Sequence, residues 1–96
     1  MDRPDVLILV LDTARSHNIS CYGYHRPTTP NLDRIAAEGI RFENAIANAP
    51  WTLPSHASMF TGLLPFDHGA HARNYNLSEN ATTIGESLRD VGYETT

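Results

Sequence analysis

Six apolar residues, Val-Leu-Ile-Leu-Val-Leu, stand in unbroken succession at positions 6–11, with Asp5 before them and Asp12 after. The run falls well short of the roughly 20 residues that a membrane-spanning helix needs. It is apolar at every position, whereas a strand with one wet face would alternate. That pattern fits a strand buried on both faces of a parallel sheet, and parallel strands are joined by crossovers that lay helices over the sheet. The expected class is therefore α/β. Asp12 falls at the C-terminal end of this strand, the edge of an open α/β sheet where ligands bind.

Downstream signals are mostly helical. Thr29 followed by Pro30 reads as an N-cap with proline at the first helical position. Leu32, Ile35 and Ala36 follow at helical spacing, and Gly39 suits the residue just past the end. Ile40, Phe42 and Ile46 alternate loosely with polar residues, as in a short strand. Pro54 opens a second helix through Ala57, Met59 and Phe60 to a stop at Gly62, with Thr52 or Leu53 near its N-cap. Residues 63–78 read as loop. Thr83-Ile84-Gly85-Glu86 is a capping box; the helix it starts has Leu88 and Val91 facing inward and Gly92 at its end. Residues 93–96 read as the opening of a further strand. Three helices and two or so strands do not close a core around a parallel sheet. The 96 residues are therefore expected to be one incomplete piece of a domain.

Composition narrows the function classes. Hydrophobic content of 41% and charged content of 19% are those of a globular chain. The net charge of −4 lacks the basic footprint that nucleic-acid binding requires. The single cysteine, Cys21, excludes an internal disulfide and reads better as a structural thiol than as a nucleophile. No basic stretch with a long apolar core and a cleavage site opens the chain, so a cytoplasmic location is expected. Asn18, Asn76 and Asn80 each begin an Asn-x-Ser/Thr triplet, read as chance matches in the absence of a secretion signal.

Two positions stand out for chemistry. Asp12 offers a hard oxygen donor suited to a divalent cation; the other reading is an N-cap or an acid that orders the loop that follows. Thr52 lies by the start of a helix, where outward backbone N–H groups and the positive dipole end favour anions. A hydroxyl there is either a nucleophile facing a sulfate or phosphate group or a plain helix cap. His68 and His71, three residues apart in a loop, form only a weak ligand pattern. His17 and His25 read as surface residues.

Taken together, the blocks resemble the N-terminal region of the sulfatase family, within the alkaline phosphatase-like superfamily. The resemblance runs through DVLILVLDTAR (residues 5–15), Cys21-Tyr22-Gly23-Tyr24, TTPNLDRIAAEGIRFENA (residues 28–45), WTLPSHASMFTGLLPFDHGA (residues 51–70) and TTIGESLRDVGYETT (residues 82–96). It implies the N-terminal part of an α/β/α sandwich around a large mixed, mainly parallel sheet, with residues 1–96 an incomplete piece of the catalytic domain. It implies a metal-dependent hydrolase of sulfate esters, Asp12 and Thr52 as metal ligands, and Thr52 and His56 as catalytic residues. The cation implied is Ca2+, with Mn2+ or Zn2+ as alternatives given Thr52. The substrates implied are small-molecule or carbohydrate sulfate or phosphate esters.

Three residues depart from the family pattern. Thr13 stands where typical sulfatases carry a second Asp. Thr52 stands where they carry the Cys or Ser matured to formylglycine, and His56 where they carry Arg. Threonine does not fit the formylglycine pathway. Related branches of the superfamily use a threonine nucleophile on phosphodiesters, phosphonates or phospho-head groups, which is the alternative expectation. A truncated, non-catalytic product is the third, and these 96 residues by themselves are expected to be inactive.

Overall fold

The computed structural model describes residues 3–96; the first two residues of the N-terminal stretch lie outside them. The chain forms two compact units, one up to Ala45 and one from Ile46 to Thr96.

In the first unit, two short 3-10 turns, Ser16–Asn18 and Ser20–Tyr22, precede helix α1, Pro30–Glu38. Proline at the first position and Asp33 in the first turn start α1. Thr29 is the N-cap residue, but its side chain caps nothing. Its hydroxyl accepts instead from the Ser20 N–H at 3.0 Å, and the Thr29 N–H donates to Ser20 Oγ at 3.2 Å. Ser20 Oγ donates in turn to Asp33 Oδ2 at 2.6 Å. This exchange latches the second 3-10 turn to α1, so tertiary bonding displaces the local cap. Gly39 ends the helix at φ −119°, outside the left-handed region expected of it, with its N–H on the Ile35 carbonyl at 2.9 Å.

The expected strand at residues 5–11 is not paired. All six of its apolar side chains are solvent-exposed, from Val10 at 38% to Leu7 at 87%. The segment at residues 40–46 is likewise unpaired. There Arg41 donates to the Cys21 carbonyl and to Glu43 and lies over the Tyr22 ring, while the Tyr22 hydroxyl donates to the Phe42 carbonyl at 2.7 Å. Among the described residues the sole β pairing is an isolated antiparallel bridge, His71 to Asn74. The paired strands expected from the sequence are thus not seen among the described residues. A parallel strand is stable only between neighbours that supply its ladder bonds and cover both faces, and no described segment supplies them.

The second unit holds helices α2 (Thr52–Thr61), α3 (Pro65–His68) and α4 (Ile84–Asp90). The turn α3 lies inside the stretch read as loop; Pro65 starts it and left-handed Gly69 ends it after four residues. Helix α2 packs on α3 and α4. The buried centre is small: Ala70, Pro54, Ser58 and His68. Helix α4 begins with the expected box. The Glu86 N–H donates to Thr83 Oγ1 at 3.3 Å, and the Thr83 N–H donates to Glu86 Oε2 at 2.8 Å. Leu88 is half-buried, but Val91 is exposed rather than inward-facing.

The Thr83 backbone N–H, and then its hydroxyl, hold the Glu86 carboxyl below its ordinary value of 4.5. Because the folded value is depressed, this contribution to α4 is present above that ordinary value and is lost as pH falls through the lower folded one. Backbone chemical shifts of residues 84–90 are therefore expected to lose helical character on acidification below 4.5. Glu86→Gln keeps the reciprocal bonds and is expected to remove that pH dependence.

Candidate functional site

Helix α2 carries two of the three candidate residues. Its N-cap is Trp51, in extended conformation, so Thr52 occupies the first helical position and Pro54 the third. The reading of Thr52 as the cap residue is thereby displaced by one position. Trp51 has no hydroxyl with which to cap. The first turn directs backbone N–H groups outward along the axis, as an anion requires, though Pro54 contributes none. The Trp51 and Tyr75 rings meet edge to face at 6.4 Å beside this turn.

An α-helix advances by about 100° per residue. Thr52 and His56 therefore lie about 40° apart on one face, while Pro54 and Ser58 lie about 40° apart on the opposite face. Burial follows this division. Pro54 and Ser58 are buried, Thr52 is exposed and His56 half-buried. His56 Nδ1 lies 3.0 Å from the Thr52 carbonyl oxygen. A carbonyl only accepts, so Nδ1 bears a proton, and in the neutral ring Nε2 is then the acceptor atom. The His56 ring stacks on Phe60 at 6.3 Å, which holds its orientation.

Asp12 belongs to the first unit. It follows the exposed apolar run, and its Oδ1 accepts from the Thr13 N–H at 3.1 Å. Thr13 turns the chain with φ +58°, the one non-glycine residue with positive φ among those described. The Ala14 N–H closes the turn on the Leu11 carbonyl at 3.3 Å. A β-branched residue in left-handed conformation is strained.

His68 does not belong to a ligand pair. It is fully buried, and both its ring nitrogens are engaged within the second unit. His71 Nδ1 accepts from the Arg73 N–H at 3.2 Å. Among the described residues no three His, Cys, Asp or Glu side chains gather around a point that would hold a cation. Cys21 is a free, half-buried thiol in a shallow groove with Tyr22, Arg41 and Glu43. No candidate residue lines that groove. No helix among the described residues is long and apolar enough to cross a membrane. No local sequence signal marks the pairing of Ser58 with His68, ten residues apart on different elements.

The Sulfatase family model matches residues 4–96. The chain is 36% identical to an uncharacterised sulfatase, YidJ, of Escherichia coli, over 99% of this chain and 19% of that protein. It is 35% identical to human arylsulfatase D over 97% of this chain and 18% of that protein. It is 34% identical to an N-acetylglucosamine-6-O-sulfatase of Bacteroides thetaiotaomicron, over 97% of this chain and 17% of that protein. The chain thus spans less than a fifth of the length of these curated relatives. No solved structure gives a significant match.

Asparagine tolerates left-handed backbone far better than threonine. Thr13→Asn is therefore expected to raise stability by about 1 kcal/mol, read as an upward shift of the urea midpoint. A downward shift would show that Thr13 is not held in that conformation.

Proposed function

Because this chain belongs to the sulfatase family, we propose that it forms the N-terminal part of a metal-dependent hydrolase of sulfate esters, with Thr52 at the nucleophile position. The observation that carries the reading is the division of α2. Thr52 and His56 share its open face at the N-terminal turn, and the opposite face is buried. The substrates proposed are small-molecule or carbohydrate sulfate esters. The family's fold is α/β, and we assign residues 5–11 to its sheet. Six apolar side chains would each gain about 1.5–3 kcal/mol on full burial there.

The chemistry assigned to this chain is direct attack. Thr52 Oγ1 forms a bond to sulfur as the bond from sulfur to the leaving oxygen breaks, and that oxygen departs with the electron pair and takes up a proton. The Thr52 hydroxyl proton passes to a base, a role His56 Nε2 fits on the same face. Water then attacks the sulfo-threonine, releasing sulfate and restoring the hydroxyl. Backbone N–H groups of the first turn face the developing negative charge. A bound divalent cation, Ca2+ by resemblance with Mn2+ or Zn2+ as alternatives, would neutralise ester oxygens and lower the hydroxyl's pKa. Asp12 and Thr52 suit it as oxygen donors. Ca2+ takes about six to eight such ligands, so these two supply only part of the set, and the 96 residues by themselves are proposed to be inactive.

Phosphodiester hydrolysis or phospho-group transfer is the second reading. Two features favour it: Thr52 in place of a formylglycine precursor, and Thr13 in place of a second acid. Relative turnover decides between them, since a phosphodiester consumed far faster than any aryl sulfate selects the second.

In the whole protein, Thr52→Ala is expected to abolish turnover of either ester, while Thr52→Ser keeps a substantial part. A residue that only occupies the first helical position would instead leave turnover per folded molecule unchanged. Mass spectrometry is expected to find no aldehyde at position 52 and, with slow substrates, an ester adduct on Thr52.

Asp12→Asn removes one anionic oxygen and is expected to weaken cation binding strongly in calorimetry, with the circular dichroism unchanged. Unaltered affinity would leave Asp12 a loop-ordering acid.

A further inference from the structure

We propose that His68 is a positioning residue: it fixes the first turn of α2 from behind and thereby sets the place of Thr52. Its part in the reaction rests on the reading of Thr52 above.

His68 has no solvent exposure. The Ala70 N–H points at its Nδ1 from 3.1 Å, and an N–H only donates, so Nδ1 is the unprotonated nitrogen. Nε2 therefore bears the proton. It lies 3.2 Å from the Pro54 carbonyl oxygen, which only accepts, and 3.0 Å from Ser58 Oγ. The tautomer is thus settled by its partners. One N–H is shared between two groups a single turn apart on the buried face of α2.

Pro54, the third helical residue, lies in the opening turn, where its missing N–H costs no helical bond. The Nε2–H of His68 donates to its carbonyl from the buried side. The His68 backbone is held on both sides, since its N–H donates to the Leu64 carbonyl at 3.0 Å and its carbonyl accepts from the Ser78 N–H at 2.9 Å. The imidazole is a rigid strut between the α3 turn and the rear of α2. Displacement of a reacting group by about 1 Å costs on the order of 10²-fold in rate.

Two variants divide the strut and a third controls for packing. His68→Gln keeps an N–H within reach of Pro54 and Ser58 and loses the acceptor for Ala70. His68→Asn keeps an acceptor for Ala70 and is too short to reach α2, but it also leaves a cavity. His68→Leu fills a similar volume with neither donor nor acceptor, so a residue that merely fills space would keep kcat there, whereas a strut would lose it as in His68→Asn. The whole protein is assayed by amide exchange across α2 and by steady-state turnover of 4-nitrophenyl sulfate and bis(4-nitrophenyl) phosphate. His68→Asn is expected to speed exchange at His56 and Ser58 by about tenfold. It is also expected to lower kcat by about 10²-fold, with KM within about threefold. His68→Gln is expected to stay near wild type in both. Equal behaviour of His68→Gln and His68→Asn overturns the proposal, as does unchanged kcat in His68→Leu or faster exchange with unchanged kcat. If Thr52→Ala keeps turnover while His68→Asn loses it, the role of Thr52 fails and the strut stands. If the wild-type protein consumes neither ester, the functional reading fails and the exchange contrast alone decides for or against the strut.

Discussion

The buried imidazole of His68 ties helix α2 to the α3 turn and to Ala70 beyond it. Its ring bonds to Pro54, Ser58 and Ala70, and its backbone bonds to Leu64 and Ser78. An unmet polar group in that position would cost about 1–3 kcal/mol; among the described residues no buried side-chain nitrogen or oxygen is left unmet. A centre built from one histidine, one serine, one proline and one alanine has little apolar area to contribute. Directional bonds therefore do most of the ordering that apolar packing does in a larger core.

The same arrangement fixes which face of α2 is open. A helix held along one face by fixed donors presents the other face in a defined direction, and Thr52 and His56 lie on that other face. The first unit follows related logic. Ser20, Thr29 and Asp33 exchange bonds that tie a 3-10 turn to α1, at the expense of the cap that Thr29 would otherwise make. Polar side chains tie elements together in each unit, while the large apolar residues at positions 6–11 stay solvent-exposed.

The helices were legible because their signals are local. Pro30, the left-handed stop at Gly62 and the Thr83–Glu86 box act within a turn of themselves, and the structure has helices at all three places. The sheet was legible only as a tendency. An unbroken apolar run states that residues 6–11 suit burial, but ladder bonds need a second segment, and none among those described pairs with them. The α3 turn was missed because four residues with one proline give almost no periodicity.

For the site, residue type and position in the chain pointed to Asp12 and Thr52, and the family resemblance added His56. The sequence left His68 as a weak ligand candidate, because a histidine three residues from another looks the same whether its nitrogens face a cation or a carbonyl. Only the tertiary structure decided that question, by bringing Pro54, Ser58 and Ala70 around one ring. Which face of α2 is open was likewise decided there. Helical periodicity places Thr52 about 160° from Pro54, but which of the two is buried depends on what packs against the helix.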